Sequence, residues 1–174
     1  MLIAAALAAL ALAGCGKQAK PSEANEGGRV YVGNLFYQVQ LSRQLNPKDV
    51  EDGYYLTGQP APKPGVSYFG VFMRVDNEDS TARVTPIPIT AMKIVDAKGN
   101  EFHPIAANAN GWGYQPVPLG KGAHLPIPDT PADIGPIRGS LILFKIPLGD
   151  LDSRPLELEL KGTSGKRAKI TLDV

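Results

Sequence analysis

The chain has one cysteine, one tryptophan and two histidines among 174 residues. A lone thiol closes no internal disulfide, so the folded part must be held by its core alone. His103 and His124 lie in no HxxxH or HExxH spacing, which leaves zinc short of ligands. Charge of one sign is also missing. Lys and Arg number 18 against 17 Asp and Glu, a net charge of +1, and nucleic-acid binding ordinarily needs a basic surplus on one face. The longest apolar run, residues 1–13, is shorter than the ~20 residues of a membrane-spanning helix. Helical periodicity is scarce; NPKDVEDG, residues 46–53, is the nearest candidate, at two turns or fewer.

Motifs that would carry chemistry are absent too. Gly162-Thr163-Ser164-Gly165 is not the GxSxG elbow of hydrolases, and a hairpin turn explains it. Gly120-Lys121 lacks the glycine spacing and hydroxyl of a phosphate loop. DNEDS, residues 76–80, has alternate carboxylates but no glycine at the sixth place of a calcium loop, and reads as a solvated turn. A secreted hydrolase would have to assemble its site from an Asp with His103 and His124. The expectation is a protein that is not an enzyme, with no catalytic residue, no cofactor and no metal site.

What is present begins with MLIAAALAALALAG. A run of this length suits the apolar part of a secretory signal, although the usual basic residues before it are missing. Leu12-Ala13-Gly14-Cys15 then resembles the lipobox of bacterial lipoproteins. That resemblance implies cleavage before Cys15 and lipidation of its thiol. Two or three acyl chains, at about 0.8 kcal/mol per buried CH₂, anchor a protein stably. The expected parts are a signal peptide over 1–14, lipidated Cys15 with a flexible tether over 15–28, and one domain over 29–174. The expected location is the bacterial cell envelope, with the membrane itself, through the lipid, as one partner.

From Arg29 onward the apolar period is two. In LFYQVQLS, Leu35, Tyr37, Val39 and Leu41 form one inward row. SYFGVFMRVDN puts Phe69, Val71, Met73 and Val75 on one face. TAMKIVDAKGNEFHPI reads as strand, Asp-Ala-Lys-Gly turn, strand. GSLILFKIP is nearly continuous apolar, as expected for a central strand covered on both sides. PLELEL alternates, GTSGK turns the chain, and RAKITLDV closes it. Short strands with Gly- and Pro-rich turns predict an all-β sandwich or barrel of six or seven strands.

Proline recurs at alternate positions: 60, 62 and 64; 86 and 88; 116 and 118; 126 and 128. Alternate prolines remove every ladder N–H on one side of a strand, which predicts TPIPIT at a sheet edge. The alternative is that PAPKP or LPIP is a polyproline ligand.

Three segments in order carry a second resemblance. SYFGVFMRVDN, KIVDAKGNEFHP and IRGSLILFKIPLGDLDSRPLELEL resemble strands and a hairpin of the telokin-like, immunoprotective extracellular domains. The resemblance covers about residues 30–174. It implies an immunoglobulin-like β-sandwich of about seven strands, often found on lipoproteins, and carries no catalytic residue across. Residues 104–124 depart from it in their wealth of Gly, Pro and Asn.

That departure holds the candidate binding surface. In ANANGWGYQPVP, residues 107–118, Trp112 stands between two glycines and Tyr114 follows. An aromatic on a glycine-freed loop offers flat contact area at low entropic cost. Tyr54 and Tyr55 are expected to join it from another loop. The competing expectation folds Trp112 back to cap an open end of the sandwich. A lipid-anchored extracytoplasmic binding domain is the reading these features favour, with an exported protein as partner. The alternative is a module that stacks Trp112 and Tyr114 on cell-wall glycan.

Overall fold

The computed structural model describes residues 20–107 and 111–173. The expected signal peptide over 1–14, Cys15 and residues 16–19 lie outside the described residues, as do residues 108–110. The fold is an all-β sandwich of two sheets. One contains β1 (Glu23–Asn25), β10 (Arg167–Leu172), β9 (Leu156–Lys161), β5 (Met92–Val95) and β6 (Glu101–Phe102), in that order. The other runs β2 (Arg29–Val32), β3 (Leu35–Leu45), β4 (Val66–Asp76), with β7 (His124–Leu125) and β8 (Ser140–Pro147) sharing the far edge of β4. Among the described residues three short α-helices, α1 (Val50–Tyr55), α2 (Pro131–Ile134) and α3 (Leu148–Leu151), and one 3-10 turn at Ile89–Ala91 occupy connections. No helix of the described residues is long and apolar enough to cross a membrane.

The alternation of apolar residues fills the space between the sheets. Phe69, Val71, Met73 and Val75 of β4 face it, with Ile142, Phe144 and Ile146 of β8. Ile94 of β5, Leu158 and Leu160 of β9 and Ile170 of β10 close it from the other sheet. The Asp-Ala-Lys-Gly turn forms as expected: Asp96 accepts from the amides of Lys98 at 2.9 Å and Asn100 at 2.8 Å, with Gly99 at φ +86°.

Sheet two has a second apolar face. Tyr68 and Phe72 of β4 and Leu141 and Leu143 of β8 point away from the sandwich centre into a smaller cluster with Leu45, Tyr55 and Leu56. So GSLILFKIP is covered on both faces, as its continuous apolarity predicts, yet it lies beside β4 rather than in mid-sheet. Its other edge meets only isolated bridges at Ile105 and Gly113.

Leu41 does not continue the inward row of β3. The register to β4 slips between Val39, opposite Met73, and Leu41, opposite Phe72. This bulge adds one residue and reverses the pleat. Beyond it Ser42 turns inward, while Leu41, Arg43 and Leu45 share the register positions of the outward Phe72, Gly70 and Tyr68.

The expected tether is part of the fold from its second half. Residues 23–25 pair in parallel with β10. The Glu26 carboxylate accepts from the Ser42 amide at 2.9 Å, from the Ser42 hydroxyl, and from the Asp173 amide at 3.1 Å. Main-chain bonds to β10 and the Glu26 carboxylate hold this segment, and neither needs an apolar side chain. Strands β1, β2 and β7 thus add to the seven that alternation predicts.

TPIPIT is not a ladder strand. Val84 makes one bridge to Leu119, and the amide of Ile87, between Pro86 and Pro88, donates to the buried Tyr37 hydroxyl at 2.9 Å. The Ile87 carbonyl accepts from the Tyr114 hydroxyl, also at 2.9 Å. Two phenols replace the neighbouring strand. In the turn DNEDS, Asn77 is buried rather than solvated, and its side-chain amide donates to the carbonyls of Ala82 at 3.2 Å and Leu119 at 2.9 Å.

Candidate functional site

The bulge in β3 builds the outer face on which the site rests. It directs Arg43 toward α1, the two-turn candidate of the sequence. Asp49 caps this helix, its Oδ1 accepting from the amides of Glu51 at 2.9 Å and Asp52 at 3.1 Å, which satisfies two of the donors a helix start leaves open. Asp52 is buried. Arg43 approaches its Oδ1 at 2.6 Å, and the Asn46 amide donates to Oδ2 at 2.7 Å. Arg43 also reaches Glu51 at 3.1 Å, and Glu51 accepts from the Tyr55 hydroxyl at 3.1 Å. A buried, paired carboxylate therefore fixes the helix against the sheet.

With the helix so fixed, its two tyrosines take opposite parts. Tyr55 is 1% exposed and meets Phe72 and Trp112 edge-on, at centroid distances of 5.0 and 4.8 Å. Burial pushes its hydroxyl well above the ordinary value, and the bond to Glu51 adds to this. Tyr54 is 63% exposed, one turn after Val50, which is 78% exposed. Positions i and i+4 stack on one helix face, so these two form an apolar outer strip.

Trp112 reaches the site from the segment beside β8. Its carbonyl accepts from the Leu141 amide at 2.7 Å, and the Tyr114 amide donates to the Leu141 carbonyl at 2.9 Å. The flanking glycines do not free the indole. Gly111 lets the chain lie close, holding φ +80° against the Pro131 ring. The indole lies against Gly135, where a Cβ would fall 2.4 Å from its ring. Trp112 is half-buried beside the smaller cluster on the outside of sheet two, not across an open end of the sandwich.

Together Val50, Tyr54, Tyr55, Trp112 and Pro136 line an open cleft of about 500 Å³, with Asp49 and Glu51 at its rim. Three of the four candidate residues thus converge. Tyr114 does not join them. It is buried in the main core, on the other face of the sheet from Trp112, bonded to Ile87 and interacting with Tyr37. A tyrosine two residues beyond an exposed-looking tryptophan gave no sign of this in sequence, because the reversal depends on the chain crossing the edge of β8. Val50, Pro136 and the acidic rim went unread, although the Asp-Val-Glu-Asp start of α1 is a legible cap.

Among the described residues no group of three or more His, Cys, Asp or Glu is placed to hold a metal ion. His103, just past β6, stands 3.9 Å from Glu101, and His124 of β7 stands 3.9 Å from Asp133, each at a strand of a different sheet. The cleft offers apolar surface, ring faces and hydrogen-bond acceptors, the composition of a contact surface.

No protein-family model and no curated protein matches the chain. Its likeness to solved structures is one of fold. The yjhA protein of Bacillus subtilis superposes with a TM-score of 0.55 at 11% identity, over 86% of this chain and 99% of that one. The Bacillus subtilis protein ycdA, a candidate lipoprotein, gives 0.53 at 8% identity over 86% of this chain, which spans 39% of ycdA. An uncharacterised β-sandwich protein of Clostridium difficile gives 0.50 at 12% identity, over 91% and 99%. These neighbours are bacterial proteins, and the sandwich is the property they share with this chain.

Proposed function

We propose that the chain is a non-catalytic binding domain, held on the outer face of a bacterial membrane by lipid on Cys15, that makes contact through the cleft between α1 and Trp112. The observation that carries this reading is the open cleft lined by Tyr54 and Trp112 over the buried Tyr55. Val50 and Tyr54 leave apolar side chains exposed beside the half-buried Trp112, and apolar surface rimmed by polar residues is the make-up of a binding groove. The support for the anchor is LAGC, a small-residue pair before the only thiol, directly behind an apolar run. An exported protein is the partner class this surface suits: a hydrophobic floor with a polar rim.

Cell-wall glycan is the second reading. The Tyr54 and Trp112 rings with the Asp49 and Glu51 rim favour it, since rings stack on sugar faces and carboxylates accept from sugar hydroxyls. In this form of the reading Tyr54 takes the place of Tyr114. Titration of the full chain with soluble wall glycan, followed by the emission of its single tryptophan, separates the two. A saturable shift lost in Tyr54→Ala supports the glycan. An unchanged spectrum removes it and leaves the protein partner. The anchor is checked by fractionation: Cys15→Ser is expected to move the protein out of the membrane fraction, and retention there contradicts it.

A further inference from the structure

We propose a second site, on the outer face of the sheet β1-β10-β9-β5-β6, that takes an oxyanion of the phosphate class. On this face the charged cross-strand pairs are opposite in sign. Glu159 of β9 stands opposite Lys169 of β10 and opposite Lys93 of β5. Lys169 lies 2.8 Å from Glu157 and 3.5 Å from Glu159. Lys93 lies 3.4 Å from Glu159 and bonds Glu101. Opposite charges across a ladder contribute to stability, and like charges directly opposite oppose it.

One pair breaks the pattern. Lys161, the last residue of β9, stands directly opposite Arg167, the first of β10. Both are exposed, and among the described residues neither forms an ion pair with a carboxylate. The two border a hollow of about 220 Å³ that Lys93, Glu101, His103 and Glu159 also line. Both carboxylates are engaged by Lys93, so the uncompensated charge is at the Lys161–Arg167 end. The Glu101 carboxyl is held below the usual range chiefly by the hydrogen bond from Lys93, against burial, with further pulls from His103 and Arg167. These groups share one electrostatic field.

A phosphate-class anion seated there turns a repulsive pair into a clamp. Arg167 supplies a planar fork that matches two oxygens, and Lys161 supplies a mobile point charge. Free phosphate and the phosphodiester of a lipid headgroup both present two unesterified anionic oxygens to the fork, so both are sources for this site.

The test uses the full chain carrying Cys15→Ser and follows the His103 imidazole resonances by NMR. Inorganic phosphate is expected to move them saturably, and chloride at equal ionic strength is not. Arg167→Glu is expected to weaken phosphate binding at least about tenfold, as loss of a charge-assisted fork does. The same variant is expected to raise Tm without phosphate, because it makes the cross-strand pair opposite in sign; lost binding is then not lost folding. Lys161→Gln provides a second, milder variant. Displacement of phosphate by phosphatidylglycerol vesicles, and not by phosphatidylcholine vesicles, assigns the headgroup; displacement by neither assigns the free anion. Equal responses to phosphate and chloride, or unchanged binding in Arg167→Glu, overturn the proposal.

Discussion

At the scale of single residues, the cleft depends on one glycine and the core on one isoleucine. Gly135 leaves room for the Trp112 ring, and any side chain there must displace it. Gly135→Ala is expected to cost roughly 1–3 kcal/mol, the range of overpacking, and to shift tryptophan emission to the red. An unchanged spectrum at unchanged Tm would show that the ring does not rest on Gly135. Ile87 has both of its main-chain groups held by phenols, those of Tyr37 and Tyr114. Tyr37→Phe leaves a buried N–H without its acceptor and is expected to cost about 1–3 kcal/mol in chemical unfolding. The proline spacing around Ile87 was legible, but its meaning was not: alternate prolines withdraw a segment from ladder pairing without saying what replaces the ladder. Burial raises Tyr37 to about 12, against the opposing Ile87 hydrogen bond, and raises Tyr114 well above 10.0. The unfolded chain therefore loses these phenolic protons first. Their contribution is complete below pH 10 and falls as the pH rises toward about 12. The tyrosinate absorbance of the six tyrosines is expected to rise in two steps, the later one coinciding with loss of the folded signal by circular dichroism. A single step near the ordinary tyrosine value, with the fold intact, contradicts this burial.

Among the elements, β3 shows how far alternation can be read. Its first half, Leu35 to Val39, follows the pattern. Its second half follows a bulge that nothing in LSRQL marks, since Leu41 and Leu45 stay in one row whichever face that row takes. That single inserted residue puts Arg43 within reach of Asp52, and so positions α1. Arg43→Met removes the partner of a buried carboxylate. The expected cost is about 2 kcal/mol, less than for a fully buried pair because Arg43 keeps a third of its side chain in solvent. The same variant is expected to weaken whatever binds the cleft, with Tyr54 exposed as before. Unfolding at the wild-type midpoint contradicts the account of how α1 is held. Strands β4, β8, β9 and β10 were legible because each carries a long uniform pattern. The strands that went unread, β1, β2 and β7, have three, four and two residues, too few for alternation to mark them.

For the whole molecule, the two outer faces of the sandwich differ in chemistry. One carries the aromatic cleft, the other a field of matched charges with one basic gap. Such a division suits a domain that meets a partner on one side and an anion on the other while its core stays inert. The fold class followed from period-two patterning and turn chemistry. The site followed only in part, because convergence of Tyr54, Tyr55 and Trp112 requires a helix, a bulge and a loop to meet. The measurement closest to the central claim is retention on purified bacterial envelope of the Cys15→Ser chain, with Tyr54 intact or changed to alanine. Tyr54 is largely exposed, so its removal leaves the packing of Tyr55 and Trp112 in place. The account predicts retention of the chain with the intact cleft and a several-fold loss in Tyr54→Ala at unchanged Tm. Equal retention of both chains, or none of either, would contradict it.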